Sequence, residues 1–285
     1  MEGKVLKQER TIYKVNLFYL LVIIWSIIVQ FLPIPFNAYQ YVTFLLPISI
    51  YLFINRQDAE RILKPNILNF ESTIIIFIIW FCTLPIMISI VTLYTKLFGN
   101  ALADIIAENS HDTFIGNLLF TAVTPAIFEE MLMRGIILDG YRNKSNFVAA
   151  LMNGLLFGML HLNSFQFFHT FIAGFIASYL VFATGSIYAG MIIHFINNGF
   201  PIFMDYLFPP DPDVGYASSP NFINCFVSVT FSIVAIYMLI RFLAKVNDID
   251  LSNEKDTSDE KIFNCPLIIS IILFILFSIL LVILL

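Results

Sequence analysis

The chain has 285 residues, of which 59% are hydrophobic and only 12% are charged, and its mean hydropathy is +0.86. A soluble domain of this length could not cover its surface with so few polar groups, so the composition predicts an integral membrane protein. The formal net charge of −5 argues against nucleic acid as a partner. The three cysteines, Cys82, Cys225 and Cys265, indicate neither a disulfide framework nor a Cys-x-x-Cys metal site.

Nine apolar runs are long enough, or nearly so, to cross a hydrocarbon core of about 30 Å as helices. The first run is too long for the apolar part of a signal peptide, so we expect it to remain as a membrane anchor. The runs lie at 15–32, 39–54, 73–98, 114–138, 147–162, 168–184, 187–207, 222–243 and 266–285.

These runs predict an all-α fold, a polytopic membrane helix bundle with eight core transmembrane helices in a single integral-membrane domain over residues 1–285. A charged linker at 244–265 separates this core from a probable ninth, accessory helix at 266–285.

The basic residues predict the orientation of these helices. Most of the 15 Lys and Arg residues fall on the side of the N-terminus, whereas the opposite loops carry mainly acidic residues. Because cytoplasmic loops are enriched in Lys and Arg, we expect the N-terminal side to be cytoplasmic. The segments assigned to this side are 1–14, 55–72, 139–146, 185–186 and 244–265.

The most costly polar group in the apolar runs is Glu129-Glu130-x-x-x-Arg134. Each charge costs at least about 2.5–3.5 kcal/mol at the centre of a bilayer, so such groups pair or line a wet cavity. Glu130 and Arg134 are four residues apart and can form an ion pair on one helix face. Glu129 points about 100° away from Glu130 on the same helix, which leaves it available for another task.

Three further polar residues lie on two other predicted helices. His161 ends the run 147–162, and His194 and Asn198 share one face of the run 187–207. Together with Glu129 they form a candidate catalytic set that can activate water and stabilise an oxyanion. His169 is expected to be a satisfied core histidine.

The same residues leave a metal site open as an alternative. Two histidines and a carboxylate suit zinc, so Glu129, His161 and His194 could hold such an ion. The His-Glu-x-x-His motif of the zincin proteases is absent. The expected cofactor is therefore either none or a divalent metal.

In this order, Glu-Glu-x-x-x-Arg, Phe-x-x-x-His and His-x-x-x-Asn resemble the motifs of the CPBP family. These proteins are the type II CAAX prenyl endopeptidases and bacteriocin-processing proteins, also called the Abi family. The resemblance covers Glu129 to Asn198 and implies an intramembrane endopeptidase of eight core helices, with a catalytic core at about 114–207.

The resemblance also implies a role for each motif residue. Glu129 and His161 would activate water, and His194 and Asn198 would stabilise the oxyanion. Glu130 and Arg134 occupy supporting positions. The family has been described both as metal-dependent and as glutamate-type, which leaves the cofactor open.

The function expected from these observations is hydrolysis of membrane-associated peptides or proteins within a lipid bilayer. The Ile, Phe, Asn and Lys bias of the composition suggests an AT-rich bacterial genome, in which prenylated substrates are not expected. Two alternatives are a non-catalytic bacteriocin-immunity or scaffold protein and a proton-coupled transporter. A transporter would show interrupted helices in two related halves, and no such halves are visible.

Overall fold

The computed structural model describes residues 10–108, 113–209, 222–252 and 258–284, and these ranges contain helices but no strands. Parts of the predicted N-terminal and linker segments, residues 1–9 and 253–257, lie outside the described residues. The helices are α1 (Thr11–Gln30), α2 (36–54), α3 (Ala59–Leu63), α4 (Phe70–Phe98), α5 (Ala101–Glu108), α6 (Phe114–Gly140), α7 (Asn146–Leu160), α8 (Ser164–Thr184), α9 (Ile187–Leu207), α10 (Phe222–Val246) and α11 (Cys265–Leu284).

Eight of the described helices are long and apolar enough to cross a membrane, namely α1, α2, α4, α6, α8, α9, α10 and α11. The predicted polytopic membrane helix bundle is therefore confirmed. These eight include the C-terminal helix α11. The predicted run at 147–162 forms α7, which has only 15 residues and is therefore shorter than any of these eight helices.

Polar residues mark where several of the helices begin. At each of these positions a side-chain oxygen accepts a hydrogen bond from a backbone N–H in the first turn, which satisfies a donor that the helix leaves open. These caps are Asn69 for α4, Ser145 for α7, Asn163 for α8 and Ser186 for α9. Helix α8 ends at Gly185, whose φ of +63° allows the chain to turn directly into α9.

Helices α2 and α6 are interrupted by π-helical segments at Tyr41–Leu45, Leu118–Val123 and Met131–Ile137. The first two are followed within two residues by Pro47 and Pro125. Proline lacks the N–H that an α-helical turn needs, so the preceding turn widens. Segments of this kind are frequent at functional sites, and the third begins directly after Glu130.

Glycines allow α7 and α8 to pack with their backbones almost in contact. A Cβ added to Gly154 would lie 2.7 Å from the carbonyl oxygen of Phe171, and one added to Gly158 would lie 2.8 Å from that of Phe167. Gly154 and Gly158, four residues apart, therefore allow the two backbones to approach closely, as is common where lipid provides no hydrophobic driving force for helix association.

The segments predicted to lie on the N-terminal side do meet at one end of the bundle. Asn66 donates a hydrogen bond of 2.7 Å to the carbonyl of Gly185, and Arg61 pairs with Asp139. The carboxylate of Glu260 accepts hydrogen bonds from the backbone N–H groups of Ile12 and Tyr13 at the start of α1. The linker is thus tied to α1, and α11 packs alongside it.

Candidate active site

Glu130 is the most deeply buried carboxylate of the membrane-spanning helices, with 0% exposure. Its Oε1 lies 2.9 Å from a terminal guanidinium nitrogen of Arg134, so the ion pair predicted from the spacing is present. The same oxygen lies 2.9 Å from Nδ1 of His194 on α9. Because an ionised carboxylate can only accept, Nδ1 of His194 carries a proton and donates a hydrogen bond to Glu130.

Gly190 makes room for this carboxylate. A Cβ at that position would lie only 2.4 Å from Oε2 of Glu130, so the backbone of α9 rests directly against the carboxylate. Any side chain there would displace Glu130 and separate it from His194.

Arg134 is held between the carboxylate and an aromatic ring. The carbon at the centre of its guanidinium lies 4.3 Å from the ring centroid of Phe157 on α7. This geometry stabilises the cation through the negative face of the ring. The guanidinium Nε has no hydrogen-bond partner among the described residues.

A cavity of about 300 Å³ lies next to this ion pair, enclosed by α4, α6, α7, α8 and α9. Apolar side chains such as Trp80, Met87 and Ile176 form much of its wall. The polar and charged side chains that line it are Glu130, Arg134, His161, Gln166, His169, Thr83, Thr170, His194, Asn197 and Asn198. Three of the four predicted catalytic residues, His161, His194 and Asn198, therefore converge on one cavity.

The hydrogen bond of His161 fixes its tautomer. Its Nδ1 lies 3.0 Å from the carbonyl oxygen of Phe157, and a carbonyl can only accept. The neutral imidazole therefore has its proton on Nδ1 and an unprotonated Nε2. The Phe157 ring also contacts both imidazoles edge to face, with its centroid 5.2 Å from that of His161 and 5.6 Å from that of His194.

Asn198 is oriented by a carbonyl in the first π-helical segment of α6. Its Nδ2 donates to the carbonyl oxygen of Thr121 at 3.1 Å. Its Oδ1 accepts from Asn197 at 3.3 Å. A carboxamide has two N–H groups, so within the described part of the chain one N–H of Asn198 is still available to a ligand.

Glu129 is not among the residues that line this cavity. It is 7% exposed and faces α2, where Gln40 approaches its Oε1 to 3.5 Å. Its Oε2 is buried without a hydrogen-bond partner among the described residues, and its charge interacts with His194. The set of Glu129, His161, His194 and Asn198 is thus brought together only in part, and Glu130 takes the place beside the histidines.

The arrangement does not assemble the alternative metal site. No group of three or more His, Cys, Asp or Glu side chains among the described residues could hold a metal ion. Glu129 faces α2, and the Nδ1 atoms of His161 and His194 are already hydrogen-bonded.

His169 was predicted to be a satisfied core histidine, but it lines the cavity. It lies on α8 and lines the same cavity as His161, and its Nδ1 is buried without a hydrogen-bond partner in the described ranges. The turn at 161–163 between α7 and α8 brings it back beside His161. Proximity to this turn is the one signal that could have indicated its position.

Residues 111–200 match the family model described as type II CAAX prenyl endopeptidase, Rce1-like. The matched segment contains Glu129, Glu130, Arg134, His161, His194 and Asn198. The resemblance seen in the three motifs is confirmed over this segment. Neither a curated protein nor a solved structure matches the chain. The match supports a CAAX-protease-like intramembrane endopeptidase in general terms.

Proposed function

We propose that the protein is an intramembrane endopeptidase that uses activated water to hydrolyse peptide bonds of membrane-associated peptides or proteins. The observation that carries this proposal is the meeting of Glu130, His161, His194 and Asn198 at one cavity in the bundle. The family match over residues 111–200 supports the same activity.

Glu129 and His161 are the candidate acceptors for the proton of the attacking water. His161 lines the cavity with Nε2 unprotonated, which is the state that a general base requires. Oε2 of Glu129 has no hydrogen-bond partner among the described residues, so it can accept a proton. To act together with His161, the Glu129 side chain must turn away from Gln40 and toward His194. Glu130 is unsuited to this task because its Oε1 serves both Arg134 and His194.

His194 and Asn198 would stabilise the charge that develops on the substrate. The water oxygen bonds to the carbonyl carbon, and the carbonyl π electrons move onto its oxygen. The free N–H of Asn198 donates to this oxyanion, and so does Nε2–H of a protonated His194. Glu130 stabilises that imidazolium by accepting from its Nδ1–H.

Collapse of the tetrahedral intermediate completes the reaction. The oxyanion electrons re-form the carbonyl, the carbon–nitrogen bond breaks, and the leaving nitrogen takes the proton that the base removed from water. The products are a carboxylic acid and an amine, so one water is consumed for each bond cleaved.

The proposal places the protein in a bacterial cell membrane with the N-terminus in the cytoplasm. The charge distribution along the sequence supports this orientation. The contacts among Asn66, Gly185, Arg61 and Asp139 support it further, because they gather the Lys- and Arg-rich segments at one end.

The test compares new protein N-termini in membranes from cells with the wild-type protein, with a Glu129→Gln/His161→Gln variant, or without the gene. Peptide ends found only with the wild type would identify substrates, and peptides spanning those sites should then be cleaved by the purified protein. Identical cleavage by the double variant would overturn the proposal. Binding of such a peptide without cleavage by the wild type would favour a non-catalytic immunity or scaffold role.

A further inference from the structure

A second cleft, of about 650 Å³, lies beside the catalytic cavity, between α4, α8 and α10. Its floor consists of buried isoleucines, Ile86, Ile176, Ile236 and Ile240. An apolar wall offers water no hydrogen-bond donor or acceptor, so it favours the binding of a hydrocarbon chain over water. The cleft runs from the middle of the bundle to the end where the charged segments meet.

At that end the cleft stops being apolar. Arg241 and Ser252 line its mouth, and Arg241 and Leu251 also line a neighbouring pocket of about 590 Å³. This second pocket contains Lys245, Asp248 and Asp250. The Arg241 side chain has no hydrogen bond or ion pair within 4 Å among the described residues, although its charge interacts with Asp250.

The loop that forms this pocket is held in a defined conformation. The N–H of Ile249 donates to the carbonyl of Ala244 at 2.9 Å, and Asn146 reaches the carbonyl of Leu251 at 3.5 Å. Asp250 accepts from the N–H and hydroxyl of Ser252 at 2.8 and 2.6 Å. These hydrogen bonds lower the pKa of Asp250, which keeps this exposed side chain anionic.

Groups of three chemical kinds adjoin along this surface. The hydrocarbon cleft and the pocket that contains Asp248, Asp250 and Lys245 meet at Arg241, which lines both. A glycerophospholipid with an amine headgroup carries the complementary groups, namely acyl chain, phosphate and ammonium. A guanidinium is well suited to a phosphate because its N–H groups can donate in pairs.

We propose that this cleft binds a zwitterionic glycerophospholipid, with an acyl chain on the isoleucine floor, its phosphate on Arg241 and its ammonium at Asp248 and Asp250. This binding site is independent of the proposed peptidase activity. The two sites share one wall, because Ile176 lines both the cleft and the catalytic cavity. A bound acyl chain would therefore pack directly behind the cavity.

The test measures which lipids the full-length protein retains. The protein is reconstituted with equal amounts of phosphatidylethanolamine and phosphatidylglycerol carrying identical acyl chains, extracted in mild detergent, and analysed by native mass spectrometry. We expect retained phosphatidylethanolamine to exceed phosphatidylglycerol by about tenfold, the effect of one charge-assisted contact. Equal retention, or a preference for phosphatidylglycerol, would overturn the proposal without any variant being needed.

Variants locate the binding groups. Arg241→Gln should lower phosphatidylethanolamine retention by about tenfold, since it removes the phosphate partner. Arg56→Gln is the matched control, because Arg56 is also exposed at this end but lies outside both pockets. Asp248→Asn/Asp250→Asn should remove the preference between the two lipids. Unchanged retention in folded Arg241→Gln protein would contradict the assigned site.

Discussion

A single oxygen, Oε1 of Glu130, lies 2.9 Å from Nδ1 of His194, and this contact joins the ion pair of α6 to the face of α9 that lines the cavity. Arg134 shares that oxygen, so a cation, a carboxylate and an imidazole form one buried chain. Glu130 therefore has two tasks: it neutralises Arg134 and it fixes the proton of His194 on Nδ1.

The two tasks of Glu130 can be separated by a double substitution. Arg134→Ala should leave Glu130 as an uncompensated charge, which costs about 3–5 kcal/mol in a buried pair and should lower the amount of folded protein. Glu130→Gln/Arg134→Met removes both charges and should restore abundance, yet turnover should stay low because His194 has lost its carboxylate. Protein level is measured by immunoblot and turnover with an identified substrate. Full activity of the double variant would show that Glu130 does not assist His194.

Gly190 offers a test of the same contact from the opposite helix. Gly190→Ala would place a Cβ 2.4 Å from Oε2 of Glu130, so we expect reduced thermal stability and a loss of turnover. Gly199→Ala on the same helix is the control, since its Cβ would meet nothing closer than 3.7 Å. A thermal-shift measurement on both purified variants checks the prediction, and equal melting temperatures would contradict it.

Glu129→Gln and His161→Gln distinguish the two candidate bases. Each keeps a hydrogen-bonding side chain but removes basicity, so abundance should be unchanged. If His161 accepts the proton alone, only His161→Gln should abolish turnover; if Glu129 joins it, both should. We expect both variants to lose turnover. Gln40→Ala should also change the pH profile of kcat, because Gln40 is the hydrogen-bond partner of Glu129 among the described residues. Wild-type turnover in Glu129→Gln would remove that residue from the mechanism.

Asn198→Ala should lower kcat by about 10²–10³ with little change in KM, as expected for the loss of one oxyanion donor. Asn197→Ala is the matched control. Asn197 also lines the cavity and donates a hydrogen bond to Oδ1 of Asn198. The proposed oxyanion donor, however, is the Nδ2 group of Asn198, which is oriented by its hydrogen bond to the carbonyl of Thr121. Equal losses in the two variants would argue against a specific donor at residue 198.

Activity should withstand strong chelation, and purified protein should contain no stoichiometric zinc. The reason is that Glu129, His161 and His194 do not converge as a ligand set in the described structure. Metal analysis of the purified protein, together with turnover before and after chelator treatment, checks this. Zinc at one ion per chain, with activity lost on its removal, would restore the metal-dependent alternative.

Local spacing was sufficient to predict part of the site. Four-residue separation predicted both the Glu130–Arg134 pair and the shared face of His194 and Asn198, because neighbours on one helix follow from its geometry. The approach of Gln40 to Glu129 spans 89 positions in the chain and depends on how α2 packs on α6. Helical spacing carries no information on that contact, which is why the approach of Glu129 to α2 was not foreseen.

The π-helical segments of α6 were also not predicted from the sequence. Regular α-helical angles were assumed for the whole apolar run, whereas Leu118–Val123 and Met131–Ile137 have a wider turn. The first carries the carbonyl of Thr121 that orients Asn198. Membrane helices were predicted well because apolar length is a property of composition, while the site depends on local departures from regular geometry.

Gly190 also limits how the site can open. Because its backbone rests on Glu130, α9 cannot rotate or slide past α6 without driving main-chain atoms into a buried carboxylate. The close contact therefore couples any movement of α9 to Glu130 on α6, which also holds His194. Helix α4 supplies Trp80 and Met87 to the opposite wall of the cavity and contains Pro85 between them, a residue type that weakens a helix at one point. We therefore expect that a change in the width of the cavity would move α4 relative to α6 and α9 and would leave the contact between Gly190 and Glu130 in place.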